Sequence, residues 1–220
     1  LLQWLGDKAI KDNLPVQSHL DENLSEVEWV KELCPWSRSY ADAYGRFGLL
    51  GDTLTIMAHV VWPTEEEMDL LFKRNVYVAH SPSSNTNLRS GIAPVRRFLD
   101  KGIRVGLATD AAGGSSLSML RMVTDAVQVS KLRSRYVDDS DKPLRFSEAF
   151  YLASKGGGSF FGKVGSFETG YDADIIVLDD GAFPSVLRSE LSVPERLEMH
   201  AYRHSEAPVA AKFVRGERII

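Results

Sequence analysis

The sequence predicts an α/β fold: half of a parallel (β/α)8 barrel followed by a small β unit. Three observations carry this. Short apolar runs ending in a polar residue able to do chemistry recur four times. Amphipathic helical patterns separate them. After about Phe146 the texture changes to glycine-rich and strand-forming sequence.

The four runs are Pro15–His19, Thr53–His59, Val76–His80 and Arg104–Asp110. Their length, β-branched content and flanking breakers favour buried strands over helices. Between them, Leu24, Val27, Val30 and Leu33 stand at helical spacing. Pro63 and Thr64, followed by Glu65, Glu66 and Glu67, open a second helix. A proline fits a first turn, and acidic side chains face the partial positive charge of a helix start. Met68, Leu71 and Phe72 give that helix its apolar stripe. Pro94 to Leu99 opens a third, stopped near Gly102, and Leu117 to Leu132 is the longest, with Leu120, Val123, Val127 and Leu132 roughly on one face.

Alternating strands and helices imply βα units and a parallel sheet. Functional residues at the carboxyl ends of such strands match the active face of a (β/α)8 barrel. Four strands cannot close an eight-stranded barrel, so the pattern implies a half whose inner face another half must cover. Beyond it, Phe146 to Phe161 reads as one or two helices broken at Gly156-Gly157-Gly158. Ile175–Leu178 reads as a strand, and Ala211–Val214 and Arg218–Ile220 as two more joined by a hairpin turn at Arg215-Gly216-Glu217.

Composition narrows the function classes. The chain has 220 residues, 44% of them apolar and 25% charged, as expected of a soluble globular protein. A net charge of −4 argues against general binding to nucleic acid or membrane surfaces, which need a cationic footprint. One cysteine, Cys34, allows no intrachain disulfide and suits a reducing cytosol; with Pro35 behind it, it reads as a loop residue. No apolar run approaches the ~20 residues of a membrane span. Leu1-Leu2-Gln3-Trp4 lacks the basic region of a signal peptide, and with no initiator Met it hints at a chain that begins inside a longer one.

The chemistry concentrates in His19 with Glu22, then His59, His80 and Asp110. A hydrolytic metal site needs neutral imidazoles or carboxylates as ligands and an open position for water. It also needs a carboxyl group nearby to move protons. A lone strand-end histidine is more often structural, but four strand ends carrying His, His, His and Asp fit a metal or catalytic site as readily as packing. Gly157 to Lys163 matches a phosphate-loop pattern, but Val164 replaces the required Ser or Thr and the segment follows a helix, so it reads as a glycine-rich junction. A cytidine-type zinc site needs a cysteine pair, which one cysteine excludes.

Several motifs converge on one family. Ser18-His19-Leu20-Asp21-Glu22-Asn23, with Glu26 and Trp29-Val30 beyond, carries His, two residues, then Glu-Asn. Met57-Ala58-His59 closes the next strand, and Ala79-His80-Ser81-Pro82-Ser83-Ser84-Asn85 the third. Gly106 to Gly114, with Ser118-Met119-Leu120 beyond it, forms the fourth, and Ile176-Val177-Leu178 follows an Asp-Ala-Asp run. On these motifs nearly the whole chain resembles the guanine deaminases of the amidohydrolase superfamily. Ser81 stands where that family usually has Cys.

The resemblance implies the second half of a TIM-like barrel, strands 5 to 8, over residues 1–165, and part of a C-terminal β-sandwich over 166–220. It implies hydrolytic deamination of guanine to xanthine and ammonia by water activated on Zn2+, with Fe2+ as the other metal. His19 and Asp110 would be metal ligands. Asp110 would also be the base for the attacking water, Glu22 the proton shuttle to a ring nitrogen, and His59 the group that orients the nucleophile. His19, Glu22, His59 and Asp110 together would contact the purine. His80 has two readings, pocket lining or part of a turn in Ser-Pro-Ser-Ser-Asn. Asn85 and Asn87 on that loop read as turn formers or ligand contacts, and His200 and His204 as ordinary polar residues.

The family's metal-binding His-x-His pair, and the Gln and substrate-holding Arg, lie upstream of the matching segment. The expected partners are therefore a small purine, the missing N-terminal half of the barrel and a second copy in a homodimer, in the cytoplasm, with no nucleic acid or membrane. Two alternatives stay open: a related aminohydrolase or chlorohydrolase acting on an adenosine derivative or a triazine, and a catalytically inert fragment. The isolated chain is expected to be inactive.

Overall fold

The computed structural model describes residues 1–182, 190–203 and 209–220; His204 lies outside them. Val16–Leu20 (β1), Thr55–His59 (β2), Tyr77–His80 (β3) and Arg104–Leu107 (β4) form one sheet in the order β1-β2-β3-β4. Each neighbouring pair is parallel, with Leu20 opposite His59 and His80 opposite Leu107. The register lines up the carboxyl ends of the strands, which is what gathers the functional residues at one edge.

The fourth strand is shorter than the sequence predicts. It ends at Leu107, and Asp110 lies beyond the ladder. The reason is local: Asp110 has φ +46, a left-handed conformation that cannot continue a strand, and its carbonyl accepts from the Gly114 amide at 2.6 Å.

Leu2–Asp12 (α1), Leu24–Leu33 (α2), Tyr40–Arg46 (α3), Glu65–Lys73 (α4), Pro82–Asn87 (α5), Val95–Lys101 (α6) and Met119–Tyr136 (α7) lie before, between and after these strands in the chain. The acidic first turn read from sequence is present at α4, but Pro63 lies outside the helix, one residue before its N-cap Thr64. The Thr64 side chain accepts from the Glu67 amide while the Glu67 carboxylate accepts from the Thr64 amide. Gly102 closes α6 at φ +80. Helix α7 starts two residues later than the expected Leu117, where Ser118 caps it through the Arg121 amide.

Helix α5 corrects the turn reading of Ser81 to Asn85. Pro82 occupies its first position, where a missing N–H costs nothing, and Pro82 to Asn85 are buried. Phe146–Tyr151 (α8) runs into a π-helical turn, Leu152–Gly156, and the backbone breaks at Ser154 rather than at the expected glycine triplet. The glycines serve packing instead. A Cβ on Gly106 of β4 would sit 2.9 Å from Cα of Gly157, so two glycines let the helix lie directly on the strand.

The core between sheet and helices is built from Leu20, Met57, Val78 and Val105 of the strands with Leu50, Met68, Leu71, Phe98, Val123 and Leu152. The C-terminal residues form a separate antiparallel sheet of Ile175–Leu178 (β5), Val209–Val214 (β6) and Glu217–Arg218 (β7), in that order. Arg215 and Gly216 make the hairpin turn at φ +49 and +82, so Glu217 belongs to the strand, not to the turn. Before β6 lies a helix the sequence reading missed, Val193–Tyr202 (α9). Among the described residues no helix is long and apolar enough to cross a membrane.

Candidate functional site

Four side chains read from sequence meet at the carboxyl edge of the parallel sheet. His19 comes from the end of β1, Glu22 from the turn after it, His59 from the end of β2 and Asp110 from the loop after β4. His19, Glu22 and His59 each offer a ligand atom, and the three atoms lie within 4.8 Å of one another; among the described residues this is the one such group. The His19 and His59 rings meet edge to face with centroids 5.0 Å apart. His59 Nε2 is 3.7 Å from Glu22 Oε2 and 4.0 Å from Asp110 Oδ2. Both separations exceed hydrogen-bond length and suit an ion or water between the groups. Asp110 thus joins the cluster through His59 rather than lying inside the tight trio.

The tautomer of His59 follows from its partners. Its ring is buried, and Nδ1 lies 2.9 Å from Asn85 Oδ1. A carbonyl oxygen only accepts, so Nδ1 carries the hydrogen and Nε2 keeps its lone pair. That Nε2 has no hydrogen-bond partner, and it is the atom nearest the two carboxylates. A buried imidazole nitrogen left open beside two carboxylates and a second histidine is a donor set that suits zinc and similar borderline cations. Gly113 helps to leave room: a Cβ there would come within 2.8 Å of both Asp110 Oδ2 and Ser84 Oγ.

The strand ends hold unusual backbone. Asp21, His59, Val60 and Asp110 all have positive φ, between +46 and +73. For the β-branched Val60 this is a marked departure, and such residues cost on the order of 1–3 kcal/mol each. Hydrogen bonds between the end of β1 and the turn after β2 hold Asp21 and Val60 there. The Val60 amide donates to Leu20 O at 2.9 Å, and the Val61 and Trp62 amides donate to Asp21 O at 3.0 and 3.1 Å.

His80 is fully buried with no partner for either ring nitrogen. Burial, and then the neighbouring His59, push its pKa down to about 4, so it is neutral at physiological pH. The Asn87 side-chain amide donates to Gly113 O at 2.8 Å and ties two loops together. His200 lies on α9, buried, with Nε2 2.6 Å from Asp180 Oδ1, away from the cluster.

Two residues of this region escaped the sequence reading. Ser90 Oγ donates to Glu22 Oε1 at 2.9 Å from 68 positions away, and no local pattern announces it. Asp21 is completely buried, its carboxyl oxygens without partners. Burial first, then Glu67 and Glu26, raise its pKa to about 9.

A raised carboxyl pKa favours the neutral form in the folded state. The stability it contributes is complete below the unfolded value near 4 and is lost as pH rises toward 9. In the full-length protein, Asp21→Asn keeps the shape without the charge and is expected to flatten the decline of Tm between pH 7 and 9. His80 interferes little over this range, because its unfolded form has lost most of its charge by pH 7 and its folded form is already neutral. Parallel wild-type and variant slopes over that range would contradict the reading.

The sequence pattern of the amidohydrolase family matches residues 1–218. The chain is 43% identical over 182 residues to a probable guanine deaminase of Schizosaccharomyces pombe, covering 81% of this chain and 34% of that protein. It superposes on a crystal structure of guanine deaminase from C. acetobutylicum with guanine bound in the active site, with a TM-score of 0.95 and 42% identity, over 100% of this chain and 52% of that one. It also superposes on an adenosine deaminase from Xanthomonas campestris with bound zinc, with a TM-score of 0.82 and 25% identity, over 99% of this chain and 48% of that one. The chain therefore spans between about a third and a half of the length of these relatives. The family pattern runs through all four strands, and the chain belongs to the amidohydrolase family.

Proposed function

We propose that this chain is the second half of a guanine deaminase, which hydrolyses guanine to xanthine and ammonia. One observation carries the reading: His19, Glu22, His59 and Asp110, from four separate sequence segments, converge with His59 Nε2 open between two carboxylates. The guanine bound in the C. acetobutylicum enzyme, matched over the whole of this chain, supports the substrate. The zinc of the X. campestris neighbour supports a divalent metal, Zn2+ or Fe2+.

In this reading residues 1–165 supply strands 5 to 8 of a (β/α)8 barrel, and 166–220 contribute to a β-sandwich. The open face of the four-stranded sheet receives the N-terminal half, which completes the metal shell; the assembled enzyme is a cytoplasmic homodimer. His19 and Asp110 would hold the metal from this half, and the ion would supply Lewis acidity that makes water a better nucleophile near neutral pH.

The chain's own groups handle the protons. Asp110 Oδ2 takes a proton from the attacking water, and His59 Nε2 accepts a hydrogen bond that aims the water at the carbon bearing the exocyclic amine. Glu22 Oε2 delivers a proton to the adjacent ring nitrogen, which makes that carbon electrophilic. Asp110 passes the proton it took from water to the amine, which leaves as ammonia, and the second water proton returns to Glu22 as the new carbonyl forms, so both carboxyl groups are reset.

The test offers full-length, metal-loaded protein guanine, an adenosine derivative and a triazine. Guanine is expected to give the highest kcat/KM. Preferential turnover of either other ring would move the assignment to that substrate class, and no turnover of any would leave an inert chain.

A further inference from the structure

We propose that Ser90 is a positioning residue for the proton-transferring carboxyl of Glu22, and that it acts as one arm of a rigid segment whose other arm, Asn85, sets His59. The inference rests on the reading of Glu22 as the proton shuttle. Ser90 Oγ donates to Glu22 Oε1 at 2.9 Å, and Ser90 is only 3% exposed, so bulk water does not compete for the bond. Engaging Oε1 leaves Oε2 as the oxygen facing the cluster, 3.7 Å from His59 Nε2. A carboxyl free to rotate would present either oxygen; this one presents a single oxygen to the reacting side.

Ser90 can set that orientation because it is itself held. Its amide donates to Asn85 O at 2.8 Å, and its carbonyl accepts from the Trp62 indole at 2.7 Å. Gly91 follows at φ +128, where a Cβ would meet Val61 and Trp62 at 2.8 and 2.9 Å, so only glycine lets the segment seat this closely. The Asn85 side chain of the same segment accepts from His59 Nδ1 at 2.9 Å. A single segment after β3, locked by Trp62, therefore fixes two proton-handling side chains that come from β2 and the turn after β1. Neither Ser90 nor Asn85 needs to touch the reacting atoms to do this.

The experiment compares Ser90→Ala and Ser90→Thr in full-length, metal-loaded protein. Loss of a hydrogen bond that orients an active group typically costs roughly 10–100-fold. Ser90→Ala is expected to lower kcat by about that factor, with KM and metal content near wild type, and Ser90→Thr to recover most of it by restoring the hydroxyl. A crystal structure of the alanine variant is expected to show the Glu22 carboxyl turned from its wild-type orientation. An unchanged kcat, an unchanged Glu22 orientation, or a threonine variant as impaired as alanine would each overturn the proposal. The orientation readout needs no turnover, so it decides the positioning claim even if guanine proves not to be the substrate.

Discussion

Glu22→Gln in the full-length protein is expected to lower kcat for guanine by roughly 10²–10⁴-fold, the usual worth of a positioned general acid–base group. At about 1.4 kcal/mol per factor of ten, that is about 3–6 kcal/mol of lost barrier lowering. Glutamine matches glutamate in shape, and its carbonyl oxygen can still accept from Ser90 Oγ. What it cannot do is give up a proton and take one back. The loss should therefore fall on kcat, while metal content by elemental analysis stays at the wild-type level. A variant that loses its metal would show that Glu22 is a ligand. Its place in the tight trio with His19 and His59 makes that the outcome most worth checking.

Asp110→Asn is expected to damage both metal binding and turnover. The substitution is gentle on the backbone, because asparagine tolerates the left-handed conformation that Asp110 adopts at φ +46. Its amide is a poor ligand for a hydrolytic metal and no base at all. Activity should fall by at least the roughly 10²–10⁴-fold of a lost base. Metal retained after dialysis should drop well below wild type, because a site of this kind normally has at least three protein ligands and tolerates few losses. Stoichiometric metal in an inactive Asp110→Asn protein would confine Asp110 to proton transfer and leave His19 as the one ligand from this half.

The pair together separates two roles that the geometry alone leaves close. Glu22 and Asp110 both approach His59 Nε2, at 3.7 and 4.0 Å. Only the difference in metal retention tells a shuttle from a ligand.

Much of the fold was legible because its causes are local. The strands of a parallel sheet covered by helices read as continuous apolar runs, and Val76–His80 and Thr53–His59 do so. Helix α4 declares itself through the acidic run Glu65, Glu66 and Glu67, which occupies its first turn. The features that escaped have non-local causes. Helix α1 is fitted to the rest of the chain at Gly6, where a Cβ would collide with the Phe47 carbonyl, a contact no window of sequence contains. Ser90 reaches Glu22 only once the fold is closed. Asp21 was passed over because aspartate is ordinarily exposed, whereas here it is sealed beneath the turn that carries Glu22.

The candidate site follows the same division. His19, His59 and Asp110 were legible as polar ends of apolar runs. That Asp110 lies past its strand, and that Asn85 fixes the tautomer of His59, depends on positive-φ turns and on helix α5, where the sequence left pocket lining and a turn both open.

The most direct measurement supplies guanine to the metal-loaded, full-length protein in 18O-labelled water and analyses the product by mass spectrometry. The expected result is xanthine carrying one 18O atom, with one ammonia released per guanine consumed, and no product after the metal is chelated. Guanine recovered unchanged while an adenosine derivative or a triazine is hydrolysed, or xanthine formed without label from water, would contradict the account.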